Sequence, residues 1–191
     1  GNKMSKRLGN AIDPLQVMDQ HGPDALRWYM ISNAHPWDNL KFDPAGPVEV
    51  TRRFFATLQN TYNFFALYAN LDGFTWAEPA IPLAERAETD RWIISRLHSL
   101  NQVVTAAYEA YEPTKASRAI QEFVVDDLSN WYVRCNRKRF WKGEQGMDKQ
   151  AAYQTLYTCL ITVAQLASPI APFYTERLYQ DLNQVNPSKL A

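Results

Sequence analysis

Apolar residues recur every three to four positions through most of this 191-residue chain, and proline or glycine interrupts the pattern at intervals. Such spacing places an apolar stripe along one face of each segment, which is typical of amphipathic helices that share a core. Five stripes are present: Phe55, Leu58, Tyr62, Phe65 and Ala69; Ile93, Leu97, Leu100, Val104, Ala107 and Tyr111; Ile120, Val124, Leu128, Trp131 and Cys135; Leu156, Leu160, Val163 and Leu166; Phe173, Leu178 and Leu182. Five helices joined by short turns predict a mainly α fold, an antiparallel helical bundle.

Helix-start and helix-stop residues divide this bundle. Pro44 begins the first helix and Gly73 ends it, and residues 73–88 form a connector. Pro113 begins the third helix directly after the second, and Asp148 is placed to cap the fourth. A break at 168–172 precedes the last helix.

Residues 1–43 form a separate small α+β unit ahead of the bundle. Asp13 caps a short helix, and a second helix runs from Pro23 to about Ser32 with Trp28 and Tyr29 in the core. The alternation at 40–42 predicts a brief strand. We predict three parts: the unit 1–43, the bundle 44–184 and a frayed tail 185–191.

Composition narrows the functional classes. Twenty basic and twenty acidic residues give a formal net charge of zero, so any nucleic-acid site must come from local clustering. The 46% hydrophobic content excludes general disorder. We expect no membrane segment and a cytoplasmic protein, because no apolar run approaches 18 residues. Cys135 and Cys159 lack metal-type spacing, which predicts buried reduced thiols and no metal site.

One local cluster stands out near the end of the third bundle helix. Five cations fall within nine residues without an acidic residue among them, namely Arg134, Arg137, Lys138, Arg139 and Lys142. Positions 134, 138 and 142 share one helical ridge, as phosphate binding requires, and the nearby Trp141 can stack on an exposed base. Alternatively, this is a solvated basic face on a core helix.

Two further points bear on this cluster. Under the alternative, Arg139 faces an internal acid such as Asp126 or Asp127. Arg52 and Arg53 open the first bundle helix and could extend this basic surface, although solvated side chains are the more ordinary interpretation.

Four segments resemble those of class I aminoacyl-tRNA synthetases. The opening Asn2-Lys3-Met4-Ser5-Lys6-Arg7 resembles the mobile ATP loop of that family, and residues 22–29 resemble the G-x-D-A-L-R helix that follows it. Residues 36–43 and 128–141 resemble the isoleucyl branch. The matches occur in the family's order from residue 3 to about 180. The valyl and leucyl branches are the near alternatives.

The resemblance implies roles for individual parts. Lys6 and Lys3 become the catalytic residues, and the ATP-binding loop comprises Lys3, Met4, Ser5, Lys6 and Arg7. Arg7 stands where the family usually has serine, so a role for that side chain is not carried over. Residues 1–43 would supply this loop and a stem-contact unit, and residues 44–184 an anticodon-binding bundle. Arg134, Arg137, Lys138, Arg139, Trp141, Lys142, Arg52 and Arg53 would bind tRNA.

The resemblance also implies the activity of a parent enzyme. That enzyme would join isoleucine to tRNA(Ile) through an aminoacyl-adenylate, using ATP with magnesium. The family's His-x-Gly-His signature does not occur in this sequence, and neither does an alternating βαβ pattern. We therefore expect the chain alone to be an inactive monomer that binds no cofactor. A different class also fits the zero net charge, namely a non-enzymatic helical protein-interaction module.

Overall fold

Helices are the regular elements of the part of the chain that the computed structural model describes, which comprises residues 4, 7, 11–76, 79–142 and 146–185. The α-helices are α1 (Pro14–His21), α2 (Pro23–Asn33), α3 (Ala45–Val50), α4 (Ala56–Asp72), α5 (Glu88–Glu109), α6 (Pro113–Glu122), α7 (Arg134–Trp141), α8 (Met147–Ala167) and α9 (Pro172–Asn183). A 3₁₀ turn spans Leu83–Glu85. The mainly α fold predicted from the apolar periodicity is confirmed.

Two π-helical segments join α-helices without a break. Thr51–Phe55 connects α3 to α4, and Phe123–Val133 connects α6 to α7. The residues on either side of each segment keep right-handed helical dihedral angles, so the chain forms two continuous helical runs, 45–72 and 113–141. The second run carries the basic cluster at its C-terminal end.

Helix α8 lies at the centre of the bundle and is buried on most of its circumference. It packs against α4, α5, α6, α7 and α9. Helix α5 runs antiparallel to the 113–141 run, since Arg96 pairs with Asp127 while the earlier Trp92 contacts the later Trp131. None of the helices in the described part of the chain combines the length and apolarity needed to cross a membrane.

The strand expected at 40–42 is absent, and residues 39–43 have no regular secondary structure. A lone strand would leave its backbone groups unpaired, because no second strand exists among the described residues to form a ladder. The Tyr29 hydroxyl provides the hydrogen bonds that a partner strand would otherwise supply. It accepts a hydrogen bond from the Asp43 amide at 2.9 Å and donates to the Lys41 carbonyl at 3.4 Å. Gly46 lies directly against the Tyr29 ring, which leaves no room for a Cβ.

Helix α2 docks the N-terminal unit onto the bundle. Trp28 is fully buried, as predicted, and stacks on Phe54 with 4.1 Å between ring centroids. Arg118 donates to the carbonyls of Ser32 and Asn33 at 2.7 and 3.1 Å, which satisfies the open C-terminal end of α2. The N-terminal unit is thus fixed to the start of the 113–141 run.

The predicted stripe of the third bundle helix is wrong in its second half. Trp131 is 43% exposed and Cys135 is also exposed, whereas Tyr132 and Asn136 are buried. The buried positions recur every four residues from 120 to 140. The reason is the π-helical segment, whose turns hold more residues than the 3.6 of an α-helix. Beyond residue 123, a period of 3.6 residues therefore no longer predicts which side chains face the core.

Three smaller expectations are also corrected. Tyr111 is 86% exposed because α5 ends at Glu109 and Tyr111 turns the chain with φ of 58°. Phe173 is 67% exposed in the first turn of α9. Asp148 does not cap α8; the cap is Gly146, and Asp148 pairs with Arg139 instead.

Candidate nucleic-acid interface

Four cations form an exposed group along α7 and its C-terminal end. Arg134, Arg137 and Lys138 project from the helix, and Lys142 follows its last turn. None of the four forms an ion pair within the described ranges 11–76, 79–142 and 146–185. We call this group, Arg134, Arg137, Lys138 and Lys142, the basic ridge. No carboxylate among the described residues neutralises its charge, which leaves the ridge available to an external anion.

Arg139 does not belong to the ridge, although it lies in the same sequence run. Its side chain is only 15% exposed and forms two parallel hydrogen bonds to the fully buried Asp90, both of 2.8 Å. It also contacts the Asp148 carboxylate at 2.8 and 3.0 Å. The internal acid is therefore Asp90, with the exposed Asp148 as a second partner, and not Asp126 or Asp127 as predicted.

A hydrogen-bonded network surrounds this ion pair. The Tyr132 hydroxyl donates to Asp90 at 2.6 Å, and the Asn136 side-chain oxygen accepts from Arg139 at 3.0 Å and from Thr89 at 2.9 Å. Burial, followed by the Asp90 charge, raises the pKa of Tyr132 well above its ordinary value, so the phenol stays protonated and remains a donor. The network joins α5, α7 and α8 and fixes the rotation of α7.

A second buried ion pair holds the end of α7. The Lys149 ammonium lies 2.5 Å from the Asp72 carboxylate and donates to the Lys142 carbonyl at 2.8 Å. Tyr153 donates to the same carboxylate at 2.5 Å, and burial raises the pKa of that phenol. Because the Lys142 carbonyl is anchored in this way, the backbone of the ridge is supported at its C-terminal end.

The remaining expected tRNA-binding residues occupy two places. Trp141 is 54% exposed in the last turn of α7, next to the ridge. Arg52 and Arg53 are 73% and 68% exposed, and both pair with Glu49 at 3.4 and 3.2 Å. They line a groove with Arg118 that contains no ridge residue. The structure therefore does not join these two arginines to the ridge.

The expected ATP-loop residues fall mostly outside the described part of the chain. Lys3, Ser5 and Lys6 are outside it, whereas Met4 and Arg7 are described and exposed. Their roles in nucleotide chemistry remain predictions.

Sequence reasoning overlooked Trp92, which packs against Trp131 on the outer face of the bundle. Trp92 is adjacent to the stripe residue Ile93 and therefore lies off the apolar face of α5. A large aromatic residue off the core stripe is the signal that could have identified it.

A helical bundle that carries unpaired cations and exposed indole rings along one helix defines a class of protein: a helical domain suited to nucleic acid. Comparison with known families narrows this class. The model described as the anticodon-binding domain of tRNA ligase matches residues 90–190, and that of class I tRNA synthetases (I, L, M and V) matches residues 1–43. The chain belongs to the anticodon-binding-domain family of the class I tRNA ligases.

Individual relatives agree with this assignment. The chain is 70% identical to the isoleucine–tRNA ligase of Cytophaga hutchinsonii and 64% identical to that of Bacteroides fragilis, over 97% and 95% of its own length. It spans only 17% and 16% of those relatives. The methionyl-tRNA synthetase of Mycobacterium tuberculosis, solved with methionyl-adenylate, shares the fold with a TM-score of 0.73 at 23% identity, over 93% of this chain and 35% of that one.

These comparisons decide between the interpretations left open by the sequence. The resemblance to the isoleucyl branch of class I synthetases is confirmed, and the chain corresponds to a part of such enzymes that includes the anticodon-binding region. An unrelated protein-interaction module is excluded.

Proposed function

We propose that this chain is the tRNA-facing part of an isoleucine–tRNA ligase and that its bundle binds the anticodon stem and loop of tRNA(Ile). The names of its relatives and the matched anticodon-binding model support this proposal. The observation that carries it is the basic ridge, four exposed cations without acidic partners among the described residues. Phosphate groups are the ligands that such a row of charges fits.

The proposed whole enzyme activates isoleucine with ATP and magnesium before transfer to tRNA. Attack at the α-phosphorus expels pyrophosphate, and the charge that develops on the phosphate oxygens is stabilised by positioned ammonium groups. We assign this role to Lys6 and Lys3. A cytoplasmic monomer is the form we expect. Since the chain spans about a sixth of its relatives, it should not support isoleucine-dependent ATP–pyrophosphate exchange alone.

Binding of fluorescently labelled tRNA(Ile) at several salt concentrations tests the role of the ridge. Release of counterions from phosphates gives a slope of log K against log salt of roughly −0.7 to −0.9 per phosphate neutralised. Four ridge cations therefore predict a slope near −3. The double charge reversal Arg137→Glu/Lys138→Glu should weaken binding and reduce the magnitude of this slope by about 2.

A matched control reverses two exposed cations that already have acidic neighbours, Lys115→Glu/Arg177→Glu. Lys115 pairs with Glu112 at 3.8 Å and Arg177 with Asp181 at 2.9 Å, and neither lies on α7. This variant has the same net charge as the ridge variant and should bind tRNA with a slope closer to that of the unaltered chain. Equal losses in the two variants would show that overall charge, and not the ridge, governs binding.

A further inference from the structure

The half-buried Trp92 and the exposed Trp131 form an aromatic pair at the surface of the bundle. The two ring centroids are 4.3 Å apart with planes inclined at 46°, and Trp131 is 43% exposed. Exposing an indole ring to water forgoes the stabilisation that its burial in the core would bring. The core position at this point of the helix is occupied by the neighbouring Tyr132, and the indole ring of Trp131 stays outside the core, against Trp92.

This pair lies at the N-terminal end of the basic ridge. Trp131 precedes Arg134 by three residues and Lys138 by seven, and all three are exposed on the same helical run. The acidic group one turn before Trp131 is Asp127, and Arg96 pairs with it at 2.9 Å. The nearby carboxylate is therefore neutralised, while the nearby Arg134 is not.

We propose that the Trp92–Trp131 pair is a stacking platform for an unpaired base of the RNA whose phosphates contact the ridge. Base stacking on an aromatic face suits any base, and single-stranded RNA sites combine such faces with a row of cations. The platform would then position the strand, while the ridge supplies the charge-dependent part of the affinity. This inference rests on the proposed function.

Trp37 offers a comparison within the same chain. It is 66% exposed and stacks on His35 with 4.9 Å between ring centroids, so it is also an accessible aromatic pair. It lies in the loop after α2, next to Asp38, and belongs to no row of cations. Trp37→Ala is therefore the matched control for loss of an exposed indole ring.

Two fluorescent oligoribonucleotides of equal length separate stacking from charge, one with all bases and one abasic over its central half. Trp131→Ala should weaken binding of the oligonucleotide with bases by roughly 5- to 100-fold and leave its salt slope unchanged. Binding of the abasic oligonucleotide should change less than twofold. Trp131→Phe should recover part of the affinity. Trp37→Ala should have no effect, because single-stranded oligonucleotides carry no stem for the predicted stem-contact unit to bind. Urea unfolding of each variant establishes that the fold is retained.

The outcomes distinguish this inference from the function on which it rests. If Arg137→Glu/Lys138→Glu weakens both oligonucleotides while Trp131→Ala binds each as the unaltered chain does, the platform is refuted and the ridge retained. If the ridge variant binds both without loss, the proposed RNA surface itself fails. Equal weakening of both oligonucleotides by Trp131→Ala would show a structural effect and would also overturn the platform.

Discussion

Replacing Arg139 with methionine should destabilise the fold far more than its position in a basic sequence run would suggest. The substitution removes two 2.8 Å charged hydrogen bonds from Asp90, whose side chain is fully buried. Tyr132 remains as a donor to that carboxylate, but the charge loses its counterion. Stranding one partner of a buried ion pair costs about 3–5 kcal/mol of the free energy of unfolding.

Urea unfolding followed by circular dichroism measures this loss. With an m-value of about 2 kcal/mol per molar urea, the midpoint should fall by roughly 2 M in Arg139→Met. Arg137→Met is the matched control, because Arg137 is exposed two residues away without an ion-pair partner in the described chain; its effect should stay within about 0.5 kcal/mol. The double variant Asp90→Asn/Arg139→Met strands no charge and should be more stable than Arg139→Met by about 2 kcal/mol.

A loss below about 1 kcal/mol in Arg139→Met would refute the assignment of a buried ion pair. The same conclusion would follow if the double variant were less stable than Arg139→Met. In that case the destabilisation of Arg139→Met would not come from the unpaired charge of Asp90. The tRNA affinity of the folded Arg139→Met chain is a separate readout. Its salt slope should equal that of the unaltered chain, because Arg139 is not part of the ridge.

Two further predictions concern the N-terminal unit and its contact with α3. Gly46→Ala should lower the free energy of unfolding by more than about 2 kcal/mol in urea titrations, because the new Cβ overlaps the Tyr29 ring. Gly146→Ala, where a Cβ meets no atom within 4 Å, should change it by less than about 0.5 kcal/mol. Burial raises the pKa of Asp24 above its ordinary value of 3.8, because the folded chain favours the protonated, neutral carboxyl. The stability that this protonated carboxyl contributes is fully present below pH 3.8. It is lost as pH rises through the folded-state pKa. Asp24→Asn should therefore gain stability relative to the unaltered chain between pH 4 and pH 7; an unchanged difference across that range would contradict it.

Periodicity in the sequence predicts the helices because it records which residues avoid water. Pro14, Pro23 and Pro113 each occupy the first position of a helix, as expected from their fixed φ and missing amide hydrogen. The same method fails at Trp131 and Tyr132, because a π-helical segment changes the angle between successive residues without any residue type that announces it. The apolar periodicity of a sequence therefore does not reveal where a helix changes its number of residues per turn.

The candidate site was also predicted only in part. Charge clustering identified the segment 134–142, and four of its five cations are exposed. The alternative interpretation singled out Arg139 as the cation that faces an internal acid, but it named Asp126 or Asp127 and missed Asp90, which lies 49 residues away. Likewise, the strand expected at 40–42 depended on a partner strand, and the Tyr29 hydroxyl that replaces it is 12 to 14 residues distant.

The wide turns of segment 123–133 also make the orientation of α7 depend on chain length. Each α-helical residue advances the direction of its side chain by about 100°. The advance per residue is somewhat smaller in this π-helical segment, and deleting one residue from it would rotate all later positions by a large part of that angle relative to α6. Arg134 and Lys138 would turn away from their present outward side, and Arg139 would lose alignment with Asp90. A deletion that removes no cation would thus abolish the ridge, so alignments of related sequences should show fewer insertions and deletions here than substitutions.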